Sequence, residues 1–250
     1  MSFNITAYLE RINYSGPVEP TAATLREVHK AHLLAAPFEN LDIHLGREIV
    51  LDEQKNYSKI VERRRGGFCY ELNGAFAMLL RALGYDVKML SAGVADQNGE
   101  FGPPFDHMTL VVELEQRWLA DVGFGDSFRE PLLLDEPGEQ AQKWGAYRIA
   151  RDGEQLTLEQ RAGNLWKPQY RFTLQPYGFT DFAEMCRYHQ TSPDSHFTQR
   201  RTCSLATVDG RITLADMRLI TTKGIERQER ELTDEQEYTT VLRERFGMEL

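Results

Sequence analysis

The sequence RRRGGFCYELNG at positions 63–74 runs directly into the apolar segment AFAMLLRALG at positions 75–84. From Leu72 onward, apolar residues recur at the spacing of a helix face, and Gly84 supplies a common helix stop signal. Cys69 therefore lies at or just before a predicted helix N-terminus. Free N–H groups and the positive end of the helix dipole favour an anion there, and three upstream arginines add to that field. This setting favours a nucleophilic thiolate, although a core cysteine behind a glycine turn has the same local sequence.

The composition places limits on the class of protein. The 250 residues are 41% hydrophobic, which suffices for one large domain or two to three subdomains. A formal net charge of −9 argues against a general surface for nucleic acid or an anionic membrane. No apolar run is long enough to span a bilayer, and positions 1–4 lack the pattern of a signal segment. Cys69, Cys186 and Cys203 match neither a disulfide framework nor a zinc motif, so we expect a cytoplasmic protein without a metal, in which Cys186 and Cys203 are passive.

The first 85 residues favour helices, and the residues after Gly84 favour strands. Helices are predicted at 4–11, 21–36 and 52–65, the last capped by Asp52. His29 and His32 are three apart on the second of these helices, a spacing that a metal could use, but no third ligand is signalled. We therefore expect both to be solvated or at the edge of the core.

Later elements follow from alternating patterns and turn residues. Strands are predicted at 85–94, 107–114, 118–122, 147–150, 155–160, 170–174, 202–208 and 211–214, with a helix at 180–188. The last helix is expected to begin with a capping box of Thr233 and Gln236. The pattern predicts an antiparallel sheet or small barrel in the middle of the chain.

His107 and Asp121 lie near the open end of the hairpin predicted over 107–122. A thiolate needs an imidazole as its partner, and that imidazole needs an acceptor that holds its tautomer. With a two-residue turn at Glu115 and Gln116, Asp121 faces Leu110 at about 10 Å along the strand from His107, so a bulge or bend is needed to join them. A locally bonded histidine and a strand-closing aspartate are the alternative from these residues alone.

Five sequence blocks resemble the arylamine N-acetyltransferase family. The blocks are PFENLD at 37–42, RRGGFCYELN at 64–73, HMTLVV at 107–112, DVGFGD at 121–126 and SPDSHF at 192–197. The resemblance implies an α+β fold with a cysteine-protease-like core: a helical bundle (1–85), an antiparallel β-barrel (86–190) and a C-terminal α/β lid (191–250). It also implies acetyl-CoA as donor and small-molecule arylamines or hydrazines as acceptors, without nucleic acid or membrane partners.

The same resemblance implies roles for individual residues. Cys69 is the nucleophile, His107 its base and Asp121 the residue that orients His107, in a ping-pong reaction through acetyl-Cys69. The turn Gly123-Phe124-Gly125 and Thr109 are assigned to the cofactor. The acceptor pocket is assigned to Phe38, Phe68, Val94, Phe124 and Phe197, and Arg64 is expected to support the site through an ion pair with Glu39.

Other activities share this order of residues. A papain-like or transglutaminase-like hydrolase also uses Cys, His and an Asp or Asn, and O-acetylation of arylhydroxylamines or transfer from a longer acyl-CoA needs the same triad. A non-catalytic binder of CoA or of planar aromatics is a further alternative. Many members of the family continue past the position of Leu250, and such C-terminal segments can contribute to cofactor contacts, so how the nucleotide end of CoA is held is not predicted. Oligomeric state is not predicted.

Overall fold

The N-terminal part of the chain is helical, as expected. A computed structural model describes residues 3–250; Met1 and Ser2, part of the stretch used above to argue against a signal segment, lie outside them. The helices are α1 (Ile5–Arg11), α2 (Ala22–Ala35), α3 (Leu41–His44), α4 (Glu53–Tyr57) and α5 (Cys69–Ala82), and a short strand β1 (Phe38–Glu39) precedes α3. Asn4, Thr21 and Asp52 each accept the N–H three residues on, which begins α1, α2 and α4.

The predicted helix over 52–65 is shorter than expected. After α4 the chain makes a π-helical turn at Ser58–Glu62, and Arg64 then takes a left-handed backbone conformation with φ of 53°. Because a left-handed residue cannot continue a right-handed helix, the chain turns there toward α5. Helix α5 is buried on nearly all sides and packs against α4 and against the two strands that follow it in the sequence. These contacts hold the start of α5 in place.

Eight antiparallel strands form the barrel. They are β2 (Asp86–Val94), β3 (His107–Glu113), β4 (Arg117–Ala120), β5 (Leu132–Leu133), β6 (Gln140–Gln142), β7 (Gly145–Asp152), β8 (Gln155–Ala162) and β9 (Leu165–Tyr177). Their order is β5-β4-β3-β2-β9-β8-β7-β6, so β5 and β6 are the two edges. The predicted strands at 85–94, 107–114, 147–150, 155–160 and 170–174 all fall within this sheet.

Two glutamine side chains bring the barrel close to closure. Gln140 in β6 accepts the N–H of Leu133 at 2.8 Å and donates to its carbonyl oxygen at 2.9 Å. Gln142 likewise accepts the N–H of Arg129 and donates to the carbonyl oxygen of Glu130. The amides thus replace the backbone ladder that a direct pairing of β5 with β6 would supply, and little of the two edges is left unpaired.

The C-terminal region forms a second, five-stranded antiparallel sheet. Its strands are β10 (Thr202–Thr207), β11 (Gly210–Ala215), β12 (Arg218–Lys223) and β13 (Glu226–Glu231), and β1 completes the edge beside β10. Helix α8 (Glu235–Phe246) packs Tyr238, Val241 and Leu242 against this sheet. In the sequence, the last barrel strand and β10 are connected by a 3₁₀ turn (Phe179–Phe182), α6 (Ala183–Thr191) and α7 (His196–Gln199). Since β1 comes from residues 38–39, this layer is not built from 191–250 alone, and the predicted domain limits stay a prediction.

Several local expectations differ from the structure. Helix α8 is capped by Asp234, which accepts the N–H of Glu237, and Glu237 in turn accepts the N–H of Thr233, so the predicted capping box is one residue out of register. Strands β12 and β13 were missed because both are mostly polar, with little alternation in hydrophobicity; β13 is exposed along its whole length. Within residues 3–250, no helix has both the length and the apolar character needed to cross a bilayer.

Candidate active site

Cys69 is the first residue of α5, as the sequence indicates, and its side chain is buried. Burial raises the pKa of this thiol, while a hydrogen bond with the Met108 backbone lowers it. The three arginines do not supply the expected field. Arg65 is buried in ion pairs with Glu39 and Asp42, and none of the three lines the cavity described below. The helix start remains the favourable feature, and a thiolate at Cys69 needs a protonated imidazole nearby.

The hairpin brings His107 and Asp121 into direct contact without a bulge. His107 Nε2 lies 2.6 Å from Asp121 Oδ2, and both residues are buried. The loop between β3 and β4 contains three residues, so Leu110 pairs with Ala120, and the next position along places Asp121 beside Thr109. Positions 107 and 109 face the same side of the strand, which puts Asp121 diagonally across from His107. The expected register was one residue out: it placed Asp121 opposite Leu110, three residues from His107 and on the other face of the strand, instead of beside Thr109.

The Asp121 carboxylate is held by two further donors. Oδ1 accepts the side-chain amide of Asn73 at 2.9 Å and the N–H of Gly123 at 2.9 Å. Burial tends to raise the pKa of Asp121, but the charge of His107 and the hydrogen bonds from His107, Asn73 and Gly123 hold that pKa below its ordinary value. Asp121 is therefore anionic at neutral pH. Asn73 lies one turn after Cys69 in α5, so one helix carries both the thiol and a support for the Asp121 carboxylate. No sequence pattern indicated this contact.

His29 supports Asp121 from the opposite side. Its Nδ1 lies 3.0 Å from the carbonyl oxygen of Arg129, and its Nε2 lies 3.1 Å from the backbone N–H of Asp121. Burial lowers the pKa of His29 to about 4, so the neutral ring donates from Nδ1 and accepts at Nε2. His32 is equally buried and contacts the hydroxyl of Tyr8 at 3.0 Å. The expectation of solvated or core-edge histidines was wrong, because both rings pack against Phe76 inside the helical core.

Gly123 allows the barrel to approach α5. A Cβ atom at this position would lie 2.8 Å from the Cα and from the carbonyl oxygen of Cys69, and 2.8 Å from the Asn73 amide nitrogen. Any side chain here would push the 121–125 turn away from the thiol. The structure thus gives Gly123 a packing reason that the sequence did not indicate, in addition to the predicted contact with the cofactor.

Cys69 and His107 both face one cavity of about 1120 Å³. Of the residues predicted for the pocket and cofactor, Phe38, Val94, Gly123, Phe124 and Phe197 line it. Phe68 is fully buried and meets the ring of Phe197 edge to face, so it lies behind the cavity wall. Thr109 is also fully buried and contacts the hydroxyl of Tyr170 at 3.2 Å, and neither it nor Gly125 lines the cavity. Direct contact of Thr109 with a cofactor is therefore not supported.

The cavity suits an organic substrate with both apolar and polar parts. Its lining combines aromatic side chains with carboxylate, imidazole and hydroxyl groups. In the described residues there is no group of three His, Cys, Asp or Glu side chains that could hold a metal ion.

The sequence of this chain matches a protein family and its individual members. A family model described as N-acetyltransferase matches residues 21–250. The arylamine N-acetyltransferase of Escherichia coli (strain K12) is 36% identical over 245 residues, which cover 96% of this chain and 87% of the relative. The chain belongs to the arylamine N-acetyltransferase family. As a member of that family, it is an enzyme of the transferase class.

Two other members of the arylamine N-acetyltransferase family are informative. A protein of Salmonella typhimurium named arylamine N-acetyltransferase / N-hydroxyarylamine O-acetyltransferase is 37% identical over 199 residues, covering 79% of this chain and 71% of the relative. The solved structure of Mycobacterium marinum arylamine N-acetyltransferase in complex with CoA superposes with a TM-score of 0.90 at 31% identity. That alignment covers 98% of this chain and 93% of the other, so the barrel, the helices and the second sheet all belong to the shared fold.

A buried cluster of charges supports the start of α5 in this member of the arylamine N-acetyltransferase family. Lys59 Nζ lies 2.8 Å from Glu71 Oε1 and 2.7 Å from Asp42 Oδ2, while Arg65 contacts Glu39 at 2.7 Å. The expected partner of Glu39 was Arg64; the structure uses Arg65, because the chain reverses at Arg64 and only the next side chain points inward. Glu71 Oε2 accepts the N–H of Phe68, the residue before Cys69. The cluster therefore ties the helix start to its surroundings.

Loss of Lys59 is expected to destabilise the fold. Burial lowers the pKa of Lys59, but the carboxylates of Glu71, Glu39 and Asp42 outweigh burial and raise it, so the residue is charged. Lys59→Met leaves three buried carboxylates with Arg65 as the one buried cation among these residues, which we expect to cost about 3–5 kcal/mol of unfolding free energy. Urea unfolding at neutral pH measures the change. Lys55→Met, on the exposed side of α4, is the matched control and should cost less than about 0.5 kcal/mol. Equal midpoints for the two variants would contradict this account of the cluster.

Proposed function

We propose that the protein transfers the acetyl group of acetyl-CoA to the nitrogen of arylamines and hydrazines by a ping-pong route through acetyl-Cys69. The observation that carries the proposal is the meeting of Cys69 and an Asp121-bound His107 at one cavity. The family match and the CoA complex of the M. marinum relative support the choice of donor.

In the first half-reaction, Cys69 is the nucleophile. Because Asp121 engages Nε2 of His107, Nδ1 is the nitrogen left to take the proton of the thiol. Cys69 Sγ then attacks the thioester carbonyl carbon, and a new carbon–sulfur bond forms. When the tetrahedral intermediate collapses, the bond to the CoA sulfur breaks, and His107 returns its proton to that sulfur. The N–H groups in the first turn of α5 have no intrahelical acceptor and are candidate donors to the oxyanion.

In the second half-reaction, His107 is the base. The amine nitrogen attacks the acetyl-Cys69 carbonyl carbon, His107 accepts the amine proton, and Cys69 leaves with its electron pair and is reprotonated. An arylamine suits this step because it is weakly basic and mostly neutral near pH 7, and therefore already nucleophilic. Asp121 stays anionic and holds the His107 ring in both half-reactions.

O-acetylation of arylhydroxylamines is a second candidate activity. The Salmonella relative bears both activities in its name, and the same acetyl-Cys69 would serve an oxygen nucleophile. The proposed triad, cavity and donor are unchanged, so only the acceptor distinguishes the two reactions.

Intact-protein mass spectrometry tests the acetyl-enzyme. After brief incubation with acetyl-CoA alone, we expect one acetyl group per chain and one equivalent of released CoA. Peptide mapping should place that group on Cys69, because Cys186 and Cys203 do not line the cavity. Adding aniline should then remove it as acetanilide. Continued CoA release without any amine would favour the hydrolase instead, and no adduct with no CoA release would favour a silent binder.

A further inference from the structure

Three polar side chains outside the proposed triad meet at the wall of the same cavity. His189, in α6, lies with Nδ1 3.2 Å from Ser195 Oγ and with Nε2 3.2 Å from Asp106 Oδ1. All three residues line the cavity, and the side chain of His189 is only 4% exposed. They come from three separate segments of the chain: the loop before β3, α6, and the residue that caps α7.

The group is held rigidly. Asp106 Oδ2 accepts the N–H of Val94, and the carbonyl oxygen of Phe105 accepts the Tyr70 hydroxyl at 2.7 Å. Phe105 has a φ of 67°, a left-handed conformation that a bulky residue adopts only where its surroundings enforce it. The His189 ring packs edge to face on Phe197 with ring centres 5.1 Å apart. A site built in this way is preorganised for a ligand.

The hydrogen bonds leave two groups without an aligned partner. Ser195 Oγ already accepts the N–H of Phe197, so its own hydroxyl hydrogen is free to donate to His189 Nδ1. The neutral ring then carries its proton on Nε2. That N–H lies close to Asp106 Oδ1 but is not aligned for a hydrogen bond with it. An N–H donor and a carboxylate acceptor therefore lie side by side in the wall of the cavity.

One chemical group satisfies both. A hydroxyl oxygen can accept from His189 Nε2–H while its hydrogen is donated to Asp106. A methyl group leaves both unpaired in a buried place, and a carboxylate is repelled by Asp106. Although burial tends to raise the pKa of Asp106, the neighbouring His189 ring, the N–H of Val94 and the charge of His107 hold it below its ordinary value, so Asp106 is anionic.

We propose that Asp106, His189 and Ser195 form a hydroxyl-recognition site that selects acceptors carrying a ring hydroxyl in addition to the reacting amine. The substrate class is therefore aminophenols rather than arylamines in general. This inference rests on the acetyl transfer proposed above, because the acceptor must share the cavity with acetyl-Cys69.

Paired acceptors test the site. We would measure kcat/KM for 3- and 4-aminophenol and for 3- and 4-methylaniline. For each ring position, the kcat/KM of the hydroxyl compound is divided by that of the methyl compound. Because every variant is tested with the same pair of amines, a change in this ratio does not come from the reactivity of the amines. His189→Phe keeps the ring packing and removes Nε2–H, and we expect it to lower the ratio at least about 10-fold for one of the two positions. His189→Gln restores an amide N–H and should recover most of the ratio. Arg187→Ala, exposed on the same helix, is the control and should leave it unchanged.

Two measurements separate this inference from the proposed acetyl transfer. CoA release without an acceptor reports the first half-reaction in every variant. Suppose that every variant releases CoA, but His189→Phe changes neither hydroxyl-to-methyl ratio or lowers activity equally with hydroxyl and methyl acceptors. The recognition site is then refuted, and the proposed acetyl transfer still stands. If no acetyl-enzyme forms even in the native protein, calorimetric titration with 4-aminophenol and 4-methylaniline decides. Tighter native binding of the aminophenol, lost in His189→Phe, supports the site, and equal binding refutes it.

Discussion

Cys69→Ala is expected to eliminate the acetyl-enzyme and to lower kcat/KM for N-acetylation by roughly 10⁴- to 10⁶-fold, as removal of a catalytic nucleophile does elsewhere. Cys69 is the first residue of α5 and lines the same cavity as His107. Among the described residues, the other two cysteines are buried away from this cavity, so no second thiol can replace it. Turnover of aniline and the mass of the protein after exposure to acetyl-CoA measure the effect.

Cys186→Ala is the matched control for this prediction. The Cys186 side chain is buried outside the cavity, and its sulfur contacts the Gln190 amide rather than an imidazole, so we do not expect it to react with acetyl-CoA. The control should still gain one acetyl group, even if its packing costs some stability. Should Cys69→Ala retain acetylation on another residue, or turn over at more than a hundredth of the native rate, Cys69 is not the nucleophile.

Asp121→Asn is expected to lower kcat/KM by roughly 10³- to 10⁴-fold with little change in the cavity. The carboxylate accepts from His107 Nε2 at 2.6 Å and so keeps the proton on that nitrogen and Nδ1 free for the thiol. An amide that presents its NH₂ to Nε2 favours the opposite tautomer, and the imidazolium formed during attack loses its counter-charge. Asp135→Asn, an exposed carboxylate on the same barrel, should leave activity within about 3-fold. Steady-state kinetics of both variants with one acceptor give the comparison.

The same substitution has a pH signature in stability. Because the pKa of Asp121 is lowered in the folded protein, its charged form stabilises the fold above the pKa of the unfolded chain, and this contribution is lost as the pH falls through the folded-state pKa. The difference in unfolding free energy between native and Asp121→Asn should therefore be largest above about pH 5 and shrink below about pH 4. A difference that grows on acidification would mean that Asp121 is not held as an anion.

Local sequence was sufficient for the position of Cys69 at a helix start. The apolar spacing from Leu72 onward depends only on neighbours within a few turns, and Gly84 ends the pattern where the structure ends α5. The hairpin of β3 and β4 was also predictable, because its strands are apolar and its turn is polar. The five sequence blocks placed the chain in its family, and their order agrees with the shared fold.

Long-range contacts were not predictable from these patterns. The three-residue turn set the register that joins His107 to Asp121, and a shift of one residue in a loop changes every pairing after it. Three residues act on the site through contacts that are distant in sequence. Asn73 and His29 bond to Asp121, 48 and 92 residues away, and Gly123 allows the barrel to pack closely against Cys69. Contacts of this kind leave no periodic pattern in the sequence. The buried position of Arg65 was likewise not predictable, because the carboxylates with which it pairs come from an earlier segment of the chain.

Features of this protein that depend on local interactions were determined by the sequence alone, and features that depend on long-range contacts were decided by the tertiary structure. Helix starts, strand alternation and the Cys69 motif are encoded within a few residues of one another, so the chain alone specifies them. The cavity, the charge of Asp121 and the Asp106–His189–Ser195 group require segments that are far apart in the chain to meet. Hydrogen-bond alignment and burial set their chemistry, and both exist only once helices, barrel and second sheet are packed together.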